Sequence, residues 1–179
     1  MPDPTFEALV ERHSAEIYAY LWRLLRDPEQ AADALQDTYL RALRAFPRLK
    51  HHEHLRAWLY TIATNRARSL VRQRARHESR QQVMTEDLAD PQASVGQRVM
   101  DRESRRRVRA AVERLPSKQR EALILRRYQG LSYAEIAAIG GGTPAAARTN
   151  VHLAQQRLKG WLRPDDDQED RPRRRRGVI

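Results

Sequence analysis

Apolar side chains recur along this chain at three- and four-residue spacing, which places them on one face of an α-helix. No stretch shows the period-two alternation of a β-strand. Asp3 is predicted to cap the first helix with Pro4 as its first residue. Asp27 opens a capping-box-like start of the second helix, and Pro47 stops that helix. The three apolar stripes are Phe6, Leu9, Val10, Ile17, Leu21 and Leu24; Leu35, Tyr39, Ala42, Leu43 and Phe46; and Leu55, Trp58, Leu59, Ile62, Ala63 and Leu70.

A polar stretch, residues 77–98, interrupts this pattern and contains Asp90-Pro91 and Gly96 without a sustained apolar period. We interpret it as a flexible linker. The last residues, 163–179, carry a block of acids followed by a block of arginines. Because like charges repel and stay solvated, this tail is predicted to be disordered.

Helical spacing resumes over residues 99–162, where Pro116 interrupts the pattern. The stripe before it is Val99, Val108, Ala111, Val112 and Leu115. Further along, Ser132 and Glu135 form a capping box that opens a short helix. A triple-glycine turn follows, and Thr143-Pro144 then starts the last helix. The fold class is therefore predicted as all-α, with small helical domains over residues 1–76 and 99–162.

Charge narrows the partners that this fold could have. The formal net charge is +11, and every basic residue except Lys50, Lys118 and Lys159 is arginine, whose fork suits phosphate oxygens and guanine edges. A polyanion is the first partner to expect, although codon bias in a GC-rich genome would also enrich arginine. The sequence has no cysteine, so disulfides and thiolate metal sites are not expected. It has no long apolar run and no signal-peptide pattern, so we expect a cytoplasmic location without membrane insertion.

The short helix, glycine turn and longer helix form a helix-turn-helix pattern. In the last helix the apolar residues lie on one face, and the opposite face can approach a major groove because it carries small side chains and base-pairing amides and arginine. The alternative is the solvated polar face of a helical hairpin. The candidate DNA-binding residues are Thr143, Arg148, Thr149, Asn150, His152, Gln155 and Gln156.

Three segments of the sequence carry a resemblance to a known family. The run Leu115–Ala137 (LPSKQREALILRRYQGLSYAEIA) resembles region 4 of bacterial sigma factors, and within them of the extracytoplasmic-function (ECF) group. Asp33–Leu43 (DALQDTYLRAL) resembles region 2.2, and Leu55–Asn65 (LRAWLYTIATN) resembles regions 2.3 and 2.4. Together with their flanks they cover about residues 5–76 and 99–162, in the order of the family.

The resemblance implies a promoter-specificity subunit of core RNA polymerase that performs no covalent chemistry and needs no cofactor. Region 2 would bind the β′ clamp helices and recognise and open the −10 element; region 4 would bind the β flap and read the −35 element. An anti-sigma factor is implied as a further partner. The free protein is expected to be a monomer, because no spare apolar stripe other than Val95–Val112 offers a dimer surface.

The resemblance also assigns residues in region 2. An exposed leucine ringed by both charge signs is a plausible docking patch, although an ordinary solvated face would look similar. The residues assigned to polymerase binding are Asp33, Gln36, Asp37, Leu40 and Arg41. On the third helix Trp58 is predicted to be core, whereas Tyr60, Thr61 and Thr64 are predicted to face away from the apolar stripe. An outward tyrosine can stack on an unpaired base. The residues assigned to the −10 element are His52, His54, Tyr60, Thr61, Thr64, Asn65, Arg66, Arg68 and Arg72.

The sequence departs from the family in three places. The loop His51-His52-Glu53-His54 replaces small polar residues, which leaves the −10 sequence open and raises metal binding or pH sensing as alternatives. Gly140 stands where the family has an apolar residue, which is expected to loosen the helix-turn-helix. Asn150 with three alanines is a weak set of base readers. The rival hypotheses are a stand-alone regulator acting without polymerase and a polymerase- or RNA-binding adaptor.

Overall fold

The computed structural model describes residues 5–49, 54–78 and 100–163, and every regular element within these ranges is helical. The helices are α1 (Phe6–Leu25), α2 (Pro28–Ala45), α3 (Leu55–Glu78), α4 (Met100–Glu113), α5 (Ser117–Arg127), α6 (Tyr133–Gly140) and α7 (Pro144–Trp161), with a 3-10 turn at Phe46–Arg48. The all-α prediction is confirmed. None of these helices has the length and apolar character needed to cross a membrane.

The helix ends follow the capping signals of the sequence. Asp27 accepts a hydrogen bond from the backbone N–H of Gln30 at 3.0 Å, which fixes the start of α2 as predicted. At the first helix the prediction was wrong: Thr5, not Asp3, is the N-cap, and its hydroxyl accepts from the Ala8 N–H. A threonine one residue before the first apolar position satisfies the same unpaired N–H groups, so the helix needs no earlier start.

The first three helices pack around one apolar core. Ile17, Tyr20 and Leu21 of α1 meet Leu59 and Ala63 of α3, and all five side chains are fully buried. The Tyr20 hydroxyl lies 2.7 Å from the Thr64 hydroxyl, so these two buried polar groups satisfy each other. Burial raises the pKa of Tyr20 above its ordinary value, and this tyrosine stays neutral.

The second domain packs α5, α6 and α7 together, with α4 against α7. Its core contains Ile124, Leu125, Leu131, Ile136 and Val151. Pro116 separates α4 from α5, as the sequence predicts. The two domains also contact each other, since α3 packs against α6 and α1 against α5.

Several sequence predictions need correction or lie outside the described residues. α3 continues to Glu78, two residues into the stretch predicted as linker, because no helix-breaking residue precedes it. Leu43 and Val108, both expected in apolar stripes, are 49% and 40% exposed. The rest of the predicted linker (79–98) and the charged tail from residue 164 lie outside the described residues.

Candidate nucleic-acid and protein interfaces

The helix-turn-helix is held by its caps. Ser132 accepts from the Glu135 N–H at 3.2 Å, and the Glu135 carboxylate accepts from the Ser132 N–H at 2.7 Å. These hydrogen bonds outweigh a small burial cost and lower the pKa of Glu135. Gly141 ends α6 in the left-handed region with φ of 71°. Thr143 then caps α7 by accepting from the Ala146 N–H at 3.1 Å, so α7 projects from a fixed turn.

The α7 helix has the two faces that its sequence predicts. Ala147, Val151 and Ala154 are buried against α5 and α6. On the outer face, the exposed candidates form one polar surface: Thr143, Arg148, Thr149, His152, Gln155 and Gln156. Asn150 differs from them, because it is half-buried and lines a cavity of about 110 Å³ beside the glycine turn. It is therefore less available to a base than the sequence suggested.

A tyrosine that sequence reasoning missed supports the outer face of α7. The Arg148 guanidinium lies 5.3 Å from the centre of the Tyr133 ring, and the Arg126 guanidinium lies 4.8 Å from it. Arg126 also donates to the Leu131 carbonyl at 2.9 Å, which anchors it. Stacking on an aromatic face limits the conformations that an arginine side chain samples. The only indication of this role of Tyr133 in the sequence was an aromatic residue at the first position of α6.

The residues of α2 that are assigned to polymerase binding form a continuous surface. Asp33, Gln36 and Arg41 are exposed, and Leu40 is 46% exposed. Leu43 extends the apolar part of the patch by one helical turn, since residues three apart are neighbours on a helix. We refer to Asp33, Gln36, Asp37, Leu40, Arg41 and Leu43 as the α2 patch.

Asp37 connects this patch to α3. Its carboxylate lies 2.8 Å from Arg66 Nε and 3.4 Å from an Arg41 guanidinium nitrogen. Arg66, which the sequence assigns to the −10 element, is thus half-buried beside α2. One carboxylate therefore lies within ion-pair distance of an arginine on each of two helices.

The −10 candidates on α3 do not all face solvent, and for Tyr60 and Thr64 the expected outward orientation was wrong. Both side chains are fully buried. Thr64 contacts Tyr20 of α1, and the Tyr60 hydroxyl donates to Gln129 Oε1 of the second domain at 2.9 Å. Burial, together with the nearby Glu16 carboxylate, raises the pKa of Tyr60 far above its usual range. Tyr60 and Thr64 are buried because α3 is covered on two sides, by α1 and α2 on one and by α6 on the other.

The remaining −10 candidates are distributed as follows. Asn65 and Arg72 are exposed, and Arg68 is half-buried. Thr61 is half-buried and donates to the Ala57 carbonyl at 3.0 Å. His54 is exposed at the start of α3, whereas His52 and the rest of its loop, including the suggested metal or pH-sensing site, lie outside the described residues. Trp58 is half-buried and packs on Phe46 with ring centres 6.4 Å apart, consistent with a core role.

Comparison with known proteins agrees with this architecture. Residues 9–77 match sigma-70 region 2, and residues 105–158 match sigma-70 region 4. The chain is 35% identical to the RNA polymerase sigma factor CarQ of Myxococcus xanthus over 88% of each chain. It is 31% identical to the ECF RNA polymerase sigma factor SigC of Mycobacterium tuberculosis, over 89% of this chain and 84% of SigC.

A solved structure matches both domains. The sigma factor RpoE of Bartonella quintana, crystallised with the anti-sigma factor NepR, is 27% identical and superimposes with a TM-score of 0.72 over 89% of this chain and 98% of its own. The structure agrees with these matches, because it has two helical domains in the order of region 2 and region 4. The first domain carries the α2 patch, and the second contains the helix-turn-helix. The chain belongs to the ECF group of RNA polymerase sigma factors.

Proposed function

We propose that this protein binds core RNA polymerase through the α2 patch and directs it to promoters that α7 reads at the −35 element and α3 opens at the −10 element. The observation that carries the proposal is the presence of both sigma regions, in order, on one chain. A stand-alone regulator would need the helix-turn-helix but has no use for region 2, so it is not favoured.

The −35 element is assigned to the outer face of α7. Arg148 is the strongest reader on this face, because an arginine can donate two hydrogen bonds to the O6 and N7 atoms of guanine. Its stacking on Tyr133 supports a fixed approach to the groove. His152, Gln155 and Gln156 extend the same exposed face.

Polymerase binding is assigned to the α2 patch, against the β′ clamp helices. Protein interfaces combine an apolar centre with a polar rim, and Leu40 with Leu43 supplies such a centre. Asp33, Gln36 and Arg41 supply the rim. The β flap is the proposed second contact, made by region 4.

The −10 element is assigned to α3 and the preceding loop. Asn65 and Arg72 are exposed to an incoming strand, and Asn can hydrogen-bond an unpaired base. Tyr60 and Arg68 reach DNA only after the second domain has moved away from them, since they bond to Gln129 and Glu121. Thr64 is part of the core between α1 and α3 and is not a candidate contact. The relatives also support an anti-sigma factor as a partner of this chain, because RpoE of Bartonella quintana was crystallised with one.

The test is run-off transcription with bacterial core polymerase over a library of promoter fragments. We expect specific starts preceded by two shared upstream elements, and only when this protein is present. Arg148→Ala should shift or abolish use of one base in the −35 element. Arg157→Ala is the matched control on the same helix, since Arg157 donates to Gln119 within the domain. Absence of both starts and polymerase binding would refute the proposal.

A further inference from the structure

The turn between α6 and α7 borders a cavity of about 110 Å³. Gly140, Gly141 and Gly142 line this cavity with backbone alone, and Gly140 stands where the family has an apolar side chain. A Cβ built on any of the three glycines meets nothing within 4 Å. Apolar cavities only slightly larger, about 150 Å³, bind small organic molecules. The glycine turn therefore leaves room for a ligand of that kind.

The floor of the cavity is apolar. It is formed by six buried side chains of α5, α6 and α7: Ala122, Leu125, Ile136, Ala137, Ile139 and Ala147. A bound water molecule needs about two to four polar partners, and these side chains offer none. An apolar group is the better occupant of the floor, because it loses its contact with solvent there.

The rim of the cavity is polar and carries a net positive charge. It contains two cations, Arg68 and Lys118, and one carboxylate, Glu121. Arg68 already donates two hydrogen bonds to Glu121, with Nη2 at 2.6 Å from Oε2 and Nε at 3.1 Å from Oε1. These hydrogen bonds raise the pKa of Arg68. Since Glu121 is paired in this way, Lys118, exposed in the first turn of α5, is the cation with which a ligand can pair.

Two hydrogen-bond donors accompany Lys118. The Thr143 hydroxyl accepts from the Ala146 N–H at 3.1 Å, and a hydroxyl can donate its own proton at the same time. Asn150 is half-buried and lines the same cavity, so its amide can donate as well. A cation with neutral donors beside it is a suitable environment for a carboxylate group.

We propose that this cavity binds a small aliphatic carboxylate. Its alkyl chain lies on the apolar floor, and its carboxylate lies at the rim, beside Lys118 and Thr143. A chain of about three or four carbon atoms matches the volume. The site does not depend on the proposed sigma function, because every residue that forms it is named from the cavity itself.

The test is a titration of the full chain with butyrate, followed by ¹⁵N nuclear magnetic resonance of the backbone amides. We expect saturable shifts of the Gly140, Gly141 and Gly142 amides, with a Kd on the order of 1–10 mM, because six heavy atoms supply only a modest affinity. Butyramide has the same shape without the charge. It should bind at least about fivefold more weakly, since its hydrogen bonds are not charge-assisted.

Two neighbouring alanines of α7 provide a matched pair of variants that test the location. Ala145 and Ala146 are both exposed, but Ala146 lines the cavity and Ala145 does not. Ala146→Leu should weaken butyrate binding at least about fivefold, because the larger side chain takes up part of the space. Ala145→Leu should change the Kd by less than about twofold.

Two lysines provide a second pair of variants, which tests the charge. Lys118→Gln should weaken butyrate binding roughly threefold to fivefold and leave butyramide binding unchanged. Lys159→Gln makes the same change of charge at an exposed position of α7 outside the cavity, and it should leave the binding of both compounds unchanged. Circular dichroism of each variant establishes that it is folded.

The unmodified chain alone can overturn the proposal. Absence of saturable shifts at the three glycine amides up to 50 mM butyrate, roughly five times the weakest Kd expected, refutes the site. Equal affinities for butyrate and butyramide refute the carboxylate as its ligand. Among the variants, equal effects of Ala145→Leu and Ala146→Leu refute the location of binding in the cavity. Run-off transcription remains a separate test of the sigma function in each case.

Discussion

Two neighbouring glycines at the end of α6 should respond in opposite directions to the same substitution. Gly140 is the last residue of α6, and a Cβ built there meets nothing within 4 Å. Gly141 has equally open surroundings, but its φ is 71°. The two positions therefore differ in backbone conformation and not in available space.

The magnitudes follow from that difference. Alanine is favoured over glycine within a helix by about 0.5–1 kcal/mol, so Gly140→Ala should stabilise by roughly that amount. A side chain in the left-handed region costs about 1–2 kcal/mol, so Gly141→Ala should destabilise by roughly that amount. The two variants should thus be separated by roughly 1.5–3 kcal/mol, the sum of these two effects.

Urea unfolding followed by far-ultraviolet circular dichroism measures both variants against the parent chain. Gly141→Asn is a useful third variant, because asparagine tolerates the left-handed region better than alanine and should recover part of the loss. The reasoning is refuted if Gly140→Ala and Gly141→Ala shift the free energy of unfolding in the same direction. A stabilised Gly140→Ala would also show that the glycine departure noted in the sequence loosens the helix-turn-helix.

Three further predictions concern the proposed interfaces and the network at Glu16. Leu40→Ala should weaken binding to core polymerase roughly five- to tenfold in a titration, because the exposed half of the leucine side chain no longer contributes apolar contact area. Val71→Ala, a change at an exposed position elsewhere in the same domain, should leave this binding unchanged. Tyr133→Leu should weaken binding to the −35 duplex roughly threefold without changing its salt dependence, and Tyr133→Phe should not, because the aromatic support of Arg148 is kept. Burial acts to raise the pKa of Glu16, but hydrogen bonds from Arg56 and His13 outweigh it and lower the pKa. The stability difference between the parent and Glu16→Gln should be fully present above pH 4.5, the ordinary pKa of Glu16, and disappear as the pH falls through its lowered folded-state value. Equal differences at pH 7 and pH 3 in urea unfolding would contradict this.

The helices were predictable because their signals are local. Caps at Asp27, Ser132 and Thr143 each bind an N–H within three residues, and a proline stands at the first position of both α2 and α7. Such signals operate within one turn and do not depend on the rest of the fold. The two faces of α7 were predictable for the same reason, since residues that share a face recur with the helical period.

The burial of Tyr60 could not be predicted from periodicity. Its apolar neighbours define the side of α3 that meets α1 and α2, and a residue off that stripe should face solvent. The structure places Gln129, 69 residues later in the chain, against it. No local pattern around Tyr60 or around Gln129 predicts this contact. Leu43 shows the opposite error, because a leucine on the predicted stripe lies at its edge and faces outward to extend the α2 patch.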